Sequence, residues 1–200
     1  MITNNHIINE DNIKQNQFIS IELNNETKKI NLKDNRIIYT NREYDITIIE
    51  IIPEKDLIYY FLELDERIFD KDIQFFKNMN IYTLQCNNKV SFGILKKTKE
   101  YNILHSCNTD MISGGSPIMN LSNSKVVGIH KGTISGMNVN LGTILKYPIN
   151  EFINNYKEYI DSKSLNSFIY PIENKTENNN NLTKIINELK NELKLEKEKK

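Results

Sequence analysis

Between about residues 17 and 145 the chain is cut into short runs of β-branched, aliphatic and aromatic residues by polar turns containing Gly, Asn and Pro. The runs are Phe18 to Leu23, Arg36 to Tyr39, Asp45 to Ile52, Ile81 to Leu84, Val90 to Leu95, Tyr101 to His105, Lys125 to His130 and Val139 to Leu145. Short, regular strands with Gly, Asn and Pro between them argue for a β sandwich or barrel. Hydrophobic residues make up only 38% of the chain, but Ile, Leu, Phe and Tyr carry them, and such side chains favour strands over disorder. A length of 200 residues is enough to bury a core without staples.

After the last run the pattern changes. Pro148 precedes Ile149, Phe152, Ile153 and Tyr156, whose i, i+3, i+4, i+7 spacing predicts a short amphipathic helix that closes the globular part near residue 160. Residues 161–181 read as a linker, since Pro171 to Asn181 offer almost nothing to bury. Over 182–200, Leu182, Ile185, Ile186, Leu189 and Leu193 share one face of a helix whose other faces carry Lys and Glu. That coiled-coil-like stripe is expected either to meet a partner, including another copy of the chain through 182–199, or to remain a solvated tail.

Charge and composition exclude several classes. Lys plus Arg number 26 and Asp plus Glu 26, so no basic field marks a nucleic-acid or lipid-surface binder. No apolar run approaches the roughly 20 residues needed to cross a bilayer and no charged-then-apolar leader opens the sequence, which leaves a soluble, cytoplasmic chain as the default expectation. Cys86 and Cys107, with His6, His105 and His130 widely spaced, match no metal-site pattern; two free thiols, no metal and no cofactor are expected.

Three segments carry chemistry only when taken together. Met1 to Ile8 is a β-type run leading into His6, Asp45 opens an otherwise apolar strand, and Ser113-Gly114-Gly115-Ser116-Pro117 is a turn whose glycines permit close backbone approach. Taken singly, each fits an ordinary structural histidine, turn acid or glycine turn. An imidazole base, an acid that holds its tautomer and a serine beside backbone amides are what acyl transfer requires.

In that order the segments resemble the trypsin-like (chymotrypsin-fold) serine proteases, nearest the glutamyl endopeptidase branch, over about residues 1–160. Ile2-Thr3-Asn4-Asn5-His6 is similar to the segment ending in the family's histidine. Asp45-Ile46-Thr47-Ile48-Ile49 is similar to the strand led by its aspartate, and Ser113 to Ile118 with Val127-Gly128-Ile129-His130 to its nucleophile loop and pocket strand. The resemblance implies a mostly β, double-barrel serine endopeptidase acting on polypeptides, with His6, Asp45 and Ser113 catalytic and the Ser113 and Gly114 amides as oxyanion hole. It further implies a carboxylate-binding pair, Thr109 and His130, selecting an acidic residue before the scissile bond; His105 and Lys131 are assigned to surface or packing.

Two departures from the pattern matter. In the register set by Ser116-Pro117-Ile118 the nucleophile position falls on Gly114, and Ser113 reaches it only if the loop shifts by one residue, as the trypsin-type Ser-Gly-Gly would allow. His6 also stands so early that one or two first-barrel strands are expected to be missing. Two readings therefore stay open: a serine endopeptidase using Ser113, and an inactive protease-like protein that binds extended peptides or acts as a scaffold.

Overall fold

A computed structural model describes residues 1–157 apart from 24–25, 74–75, 87–88, 135 and 137–138. The expected linker and the helix over 182–200 lie outside the described residues. The first half holds β1 (Ile2–Thr3), α1 (Glu10–Gln15), β2 (Phe18–Leu23), β3 (Glu26–Asn31), β4 (Ile38–Asn41) and β5 (Ile46–Ile49), followed by α2 (Pro53–Asp56) and a 3-10 turn, Glu66–Phe69. The second holds β6 (Asn80–Gln85), β7 (Lys89–Lys99), β8 (Asn102–His105), β9 (Pro117–Asn120), β10 (Val126–Thr133), β11 (Asn140–Ile144) and α3 (Lys146–Asn155).

The second half closes into a six-stranded antiparallel barrel in the order β10-β11-β8-β7-β6-β9. Ile81, Leu95, Ile103, Ile118 and Ile144 meet inside it with no exposed surface. Each contributes about 1.5–3 kcal/mol by leaving water. The first half is open: an antiparallel sheet β1-β5-β4 stands beside a separate β2-β3 hairpin. The fold is thus mostly β, with one closed barrel, an incomplete partner half and a short helix at the end, as expected.

The sequence pattern missed α2 and the 3-10 turn, and it missed β3, α1 and β9 for separate reasons. β3 was not expected because Glu26-Thr27-Lys28-Lys29 is polar, and only Ile30 is wholly buried. α1 buries no residue and stands on a capping box in which Asn9 accepts from Asn12 N while Asn12 Oδ1 accepts from Asn9 N. β9 begins at Pro117, which reads as a turn residue but needs no amide donor at a strand's first position. α3 also starts before Pro148 rather than after it, the proline sitting in the first turn where its missing N–H costs nothing.

Two groups of contacts lock the open sheet to the barrel. Glu151 Oε1 on α3 accepts from Tyr39 Oη at 2.9 Å and Asn41 Nδ2 at 3.0 Å, Tyr156 Oη donates to the Ile38 carbonyl at 2.8 Å, and Phe152 packs edge-on against Tyr39. Thr143 Oγ1 on β11 donates to the Tyr44 carbonyl at 2.6 Å, next to the start of β5.

The far side of the open half rests on an ion pair. Arg36 reaches Asp56 through Nη1 at 2.9 Å and Nη2 at 3.1 Å, and both side chains are essentially out of water. Asp56 Oδ2 also accepts from Ile52 N at 2.7 Å, and Arg36 Nη1 donates to the Glu50 carbonyl at 2.7 Å. Asp56→Ala leaves the buried guanidinium only the Glu50 carbonyl and a longer contact to Asp34 Oδ2 at 3.4 Å, so it is expected to cost about 3 kcal/mol in urea unfolding, whereas removal of an exposed pair such as Lys14 and Glu10 should cost under about 1 kcal/mol.

Candidate functional site

Strand register brings the histidine to the acid. β1 pairs antiparallel with β5, Ile2 opposite Ile48 and Thr3 opposite Thr47. The chain after β1 therefore turns back over the start of β5, where Asp45 sits. Asp45 has φ 56°, a left-handed conformation that aspartate tolerates better than most residues. It closes the turn from Arg42 and opens the strand, so the turn reading and the site reading of this acid both hold.

Asp45 grips His6 twice. Oδ2 lies 2.7 Å from His6 Nδ1, and Oδ1 accepts the His6 backbone N–H at 2.9 Å. The carboxylate thus sets both the ring and the peptide from which the ring hangs, places the proton on Nδ1, and leaves Nε2 as an acceptor. The imidazole is about half exposed, so a reactant can reach it. Asn4 helps from behind: wholly buried, it donates from Nδ2 to the Asp45 carbonyl at 3.2 Å.

The glycine loop meets this dyad through Gly114. A Cβ built on Gly114 would lie 3.3 Å from His6 Nε2, 3.1 Å from Ile7 Cδ1 and 3.4 Å from Asn4 Oδ1. Gly114 therefore occupies the place of a side chain aimed at the base. The next residue, Gly115, has φ 82°, which a side chain would strain. The loop is clamped to β10, with Gly115 N donating to the His130 carbonyl at 3.0 Å and His130 N to the Ser116 carbonyl at 2.8 Å.

Ser113 faces elsewhere. Its hydroxyl donates to Gln85 Oε1 at 2.6 Å and accepts from Asp110 N at 3.0 Å, and it is almost fully buried. None of the described hydrogen bonds joins it to His6. Of the two amides expected in the oxyanion hole, Ser113 N donates to the Asp110 carbonyl at 3.1 Å, while Gly114 N has no acceptor among the described residues. The one-residue loop shift that would present Ser113 to the base is not the arrangement observed. Ser116 is buried too, its amide turned back onto the Ser113 carbonyl.

Thr109 and His130, the expected carboxylate ligands, share no hydrogen bond. Thr109 Oγ1 is buried without a partner among the described residues. His130 is buried on β10 with its Nδ1 3.1 Å from Nε2 of His105, which is wholly buried on β8. His105 is thus an interior partner of His130 and has no surface role. Lys131 Nζ bonds Asn102 Oδ1 at 3.1 Å and lies over the Tyr101 ring. Cys86 and Cys107 are unpaired, and burial pushes the Cys107 thiol up to about 11, which keeps it inert. Among the described residues no group of three or more His, Cys, Asp or Glu could hold a metal ion.

No family profile matches the chain and no curated protein matches it. Among solved structures it is similar to the serine endoprotease from Yersinia pestis, with a TM-score of 0.53 and 11% identity, over 80% of this chain and 52% of that one. The chain spans about half the length of that protein. At this identity the likeness shows the fold, a chymotrypsin-like barrel, and no more.

Burial holds both interior imidazoles neutral. The His105 pKa is lowered to about 3, by burial first and by His130 second; that of His130 is lowered to about 4, by burial first and by His6 second. An unfolded chain takes up these protons near 6.5, so it binds more protons than the folded one between 6.5 and about 4. The stability they contribute is fully present above 6.5 and is lost as pH falls through that window. The urea midpoint is expected to drop between pH 7 and 4.5, and to drop less in His105→Gln. An equal drop in both would mean that these imidazoles do not govern acid unfolding.

Proposed function

We propose that the protein is a protease-fold polypeptide-binding protein in which the base and its orienting acid persist but the seryl nucleophile is absent. The observation that carries this reading is Gly114, whose hydrogen stands where a side chain would meet His6 Nε2. Serine at that place would need one torsion and a small retreat of Ile7 Cδ1 to reach hydrogen-bond distance of the base. Glycine supplies no atom that can form an acyl-enzyme.

A strand edge supports the peptide part of the proposal. β10 pairs with β11 as far as Thr133, but with β9 only as far as Ile129. Beyond the clamp at His130, the side of Lys131 to Thr133 turned away from β11 pairs with no other described strand, so an extended peptide can add to it. The unpartnered Thr109 hydroxyl and His130 favour a peptide with an acidic side chain. The neutral tautomer in which His105 Nε2–H donates to His130 Nδ1 keeps an N–H on His130 Nε2. A carboxylate would then be held by two neutral donors rather than by a cation.

A second reading, a serine endopeptidase using Ser113, is favoured by one observation: the His6–Asp45 pair keeps its 2.7 Å geometry. A fluorophosphonate probe separates the two. The wild-type protein is expected to stay unlabelled, and Gly114→Ser to gain labelling that disappears when His6→Ala is added. The backbone at 114, unlike that at 115, is in a conformation open to side chains. Wild-type labelling abolished by Ser113→Ala would instead support an enzyme with Ser113 as nucleophile.

A further inference from the structure

The even charge balance of the whole chain hides a local segregation. β6, β7 and β8 lie side by side in the barrel, and together they carry four lysines and no Asp or Glu. All four lysines are on β7. Lys89 is paired with Asp110, whereas Lys96, Lys97 and Lys99 are exposed and enter no ion pair among the described residues. Glu100, in the turn after β7, is the acid that follows them in sequence.

The other end of the same strand is apolar and open to water. Val90, Phe92 and Ile94, at every second position, stand on the outer wall of the barrel and are 49%, 64% and 42% exposed. Opposite them on β6 are Leu84, Tyr82 and Asn80, so no charge interrupts the strip, and the Tyr82 and Phe92 rings lie 6.1 Å apart. The turn that carries the exposed Met111 and Ile112 is pinned beside this hairpin, by the Lys89–Asp110 pair and by Cys86 Sγ donating to the Ile112 carbonyl at 3.7 Å.

The outer wall of a closed barrel is convex, and β7 is paired on both sides, so the face offers neither a groove for a helix nor an edge for a peptide. Apolar side chains that protrude from such a wall suit a medium that deforms around them, and unpaired lysines alongside suit one that is negatively charged. We propose that the β6–β7 face docks on the surface of an anionic lipid bilayer, with Val90, Phe92 and Ile94 entering the headgroup region and Lys96, Lys97 and Lys99 meeting the acidic headgroups. Single-stranded nucleic acid asks for free rings on which successive bases stack, and of the exposed residues in this strip only Phe92 has a ring. Docking of this kind is independent of whether the cleft holds a peptide or a nucleophile.

The test is sedimentation of the full chain with vesicles of phosphatidylserine and phosphatidylcholine, and with vesicles of phosphatidylcholine alone. The protein is expected to pellet with the mixed vesicles only and to be released by high salt. Lys96→Gln, Lys97→Gln and Lys99→Gln combined are expected to weaken binding about a hundredfold, at about fivefold per lysine near an anionic surface. Phe92→Ser is expected to weaken it about tenfold, since the ring then no longer leaves water. Both variants alter exposed side chains and are expected to unfold at the wild-type temperature. The lysine-rich stripe over 182–200 is the rival element, so Leu189→Asp is made alongside and is expected to leave binding unchanged. Failure to bind the mixed vesicles, equal binding to phosphatidylcholine alone, or binding lost in Leu189→Asp and kept in Phe92→Ser overturns the proposal. So does capture of a single-stranded oligouridylate, lost in Phe92→Ser, by a protein that ignores the vesicles, and so does a dimer in sedimentation velocity that Phe92→Ser dissociates.

Discussion

The arrangement depends on one contact, the double hold of Asp45 on His6. A carboxylate bonded only to an imidazole would leave the ring free to swing with its backbone, and an ion pair half open to solvent adds little energy by itself. Taking the His6 amide on the second oxygen makes the acid a clamp on backbone and ring together. The clamp works only because Asp45 adopts a left-handed conformation at the mouth of β5, and that strand is aligned by its register with β1 and by the Thr143 bond from the barrel to Tyr44. A site assembled from an open three-stranded sheet thus borrows its rigidity from the closed barrel and from α3.

The sequence made some of this legible and hid the rest, for physical reasons. His6 and Asp45 could be placed because each stands at the end of a β-type run and their chain order matches a known chemistry. The barrel strands were visible because alternating or continuous apolar residues line its core. β3 and α1 were invisible because they bury almost nothing and are held by polar contacts, which periodicity does not register. The commitment of Ser113 could not be read either, since Gln85 comes from a different barrel strand 28 residues earlier. Asn4 gave no signal at all: in a chain so rich in asparagine, one more beside a histidine is unremarkable, and only its burial with an unpaired oxygen marks it out.

Ser113 and Gly114 also illustrate how a single position can separate architecture from chemistry. The loop retains its clamp on β10, its left-handed glycine at 115 and its approach to the imidazole. On the reading proposed above, only the atom that would bond to a carbonyl carbon is missing. A loop shifted by one residue would bring Ser113 forward, but it would break the bonds from Ser113 to Gln85 and Asp110 and from Gly115 to His130 together. Each is worth about 0.5–1.5 kcal/mol net, and more if a buried group is left unpaired, so the observed register is the stable one.

The pocket behind the dyad is also built to stay uncharged. Two imidazoles packed edge to edge cannot both ionise in a low-dielectric interior, and His130 lowers the basicity of His105 beyond what burial does. His130 is further discouraged from taking a proton by His6, which can itself become cationic. If His6 took a proton during a reaction, the repulsion would fall on a neighbour already held neutral, so the charge would not spread into the barrel. A carboxylate at the proposed Thr109 and His130 site would therefore be recognised through neutral hydrogen bonds rather than by a cationic imidazole.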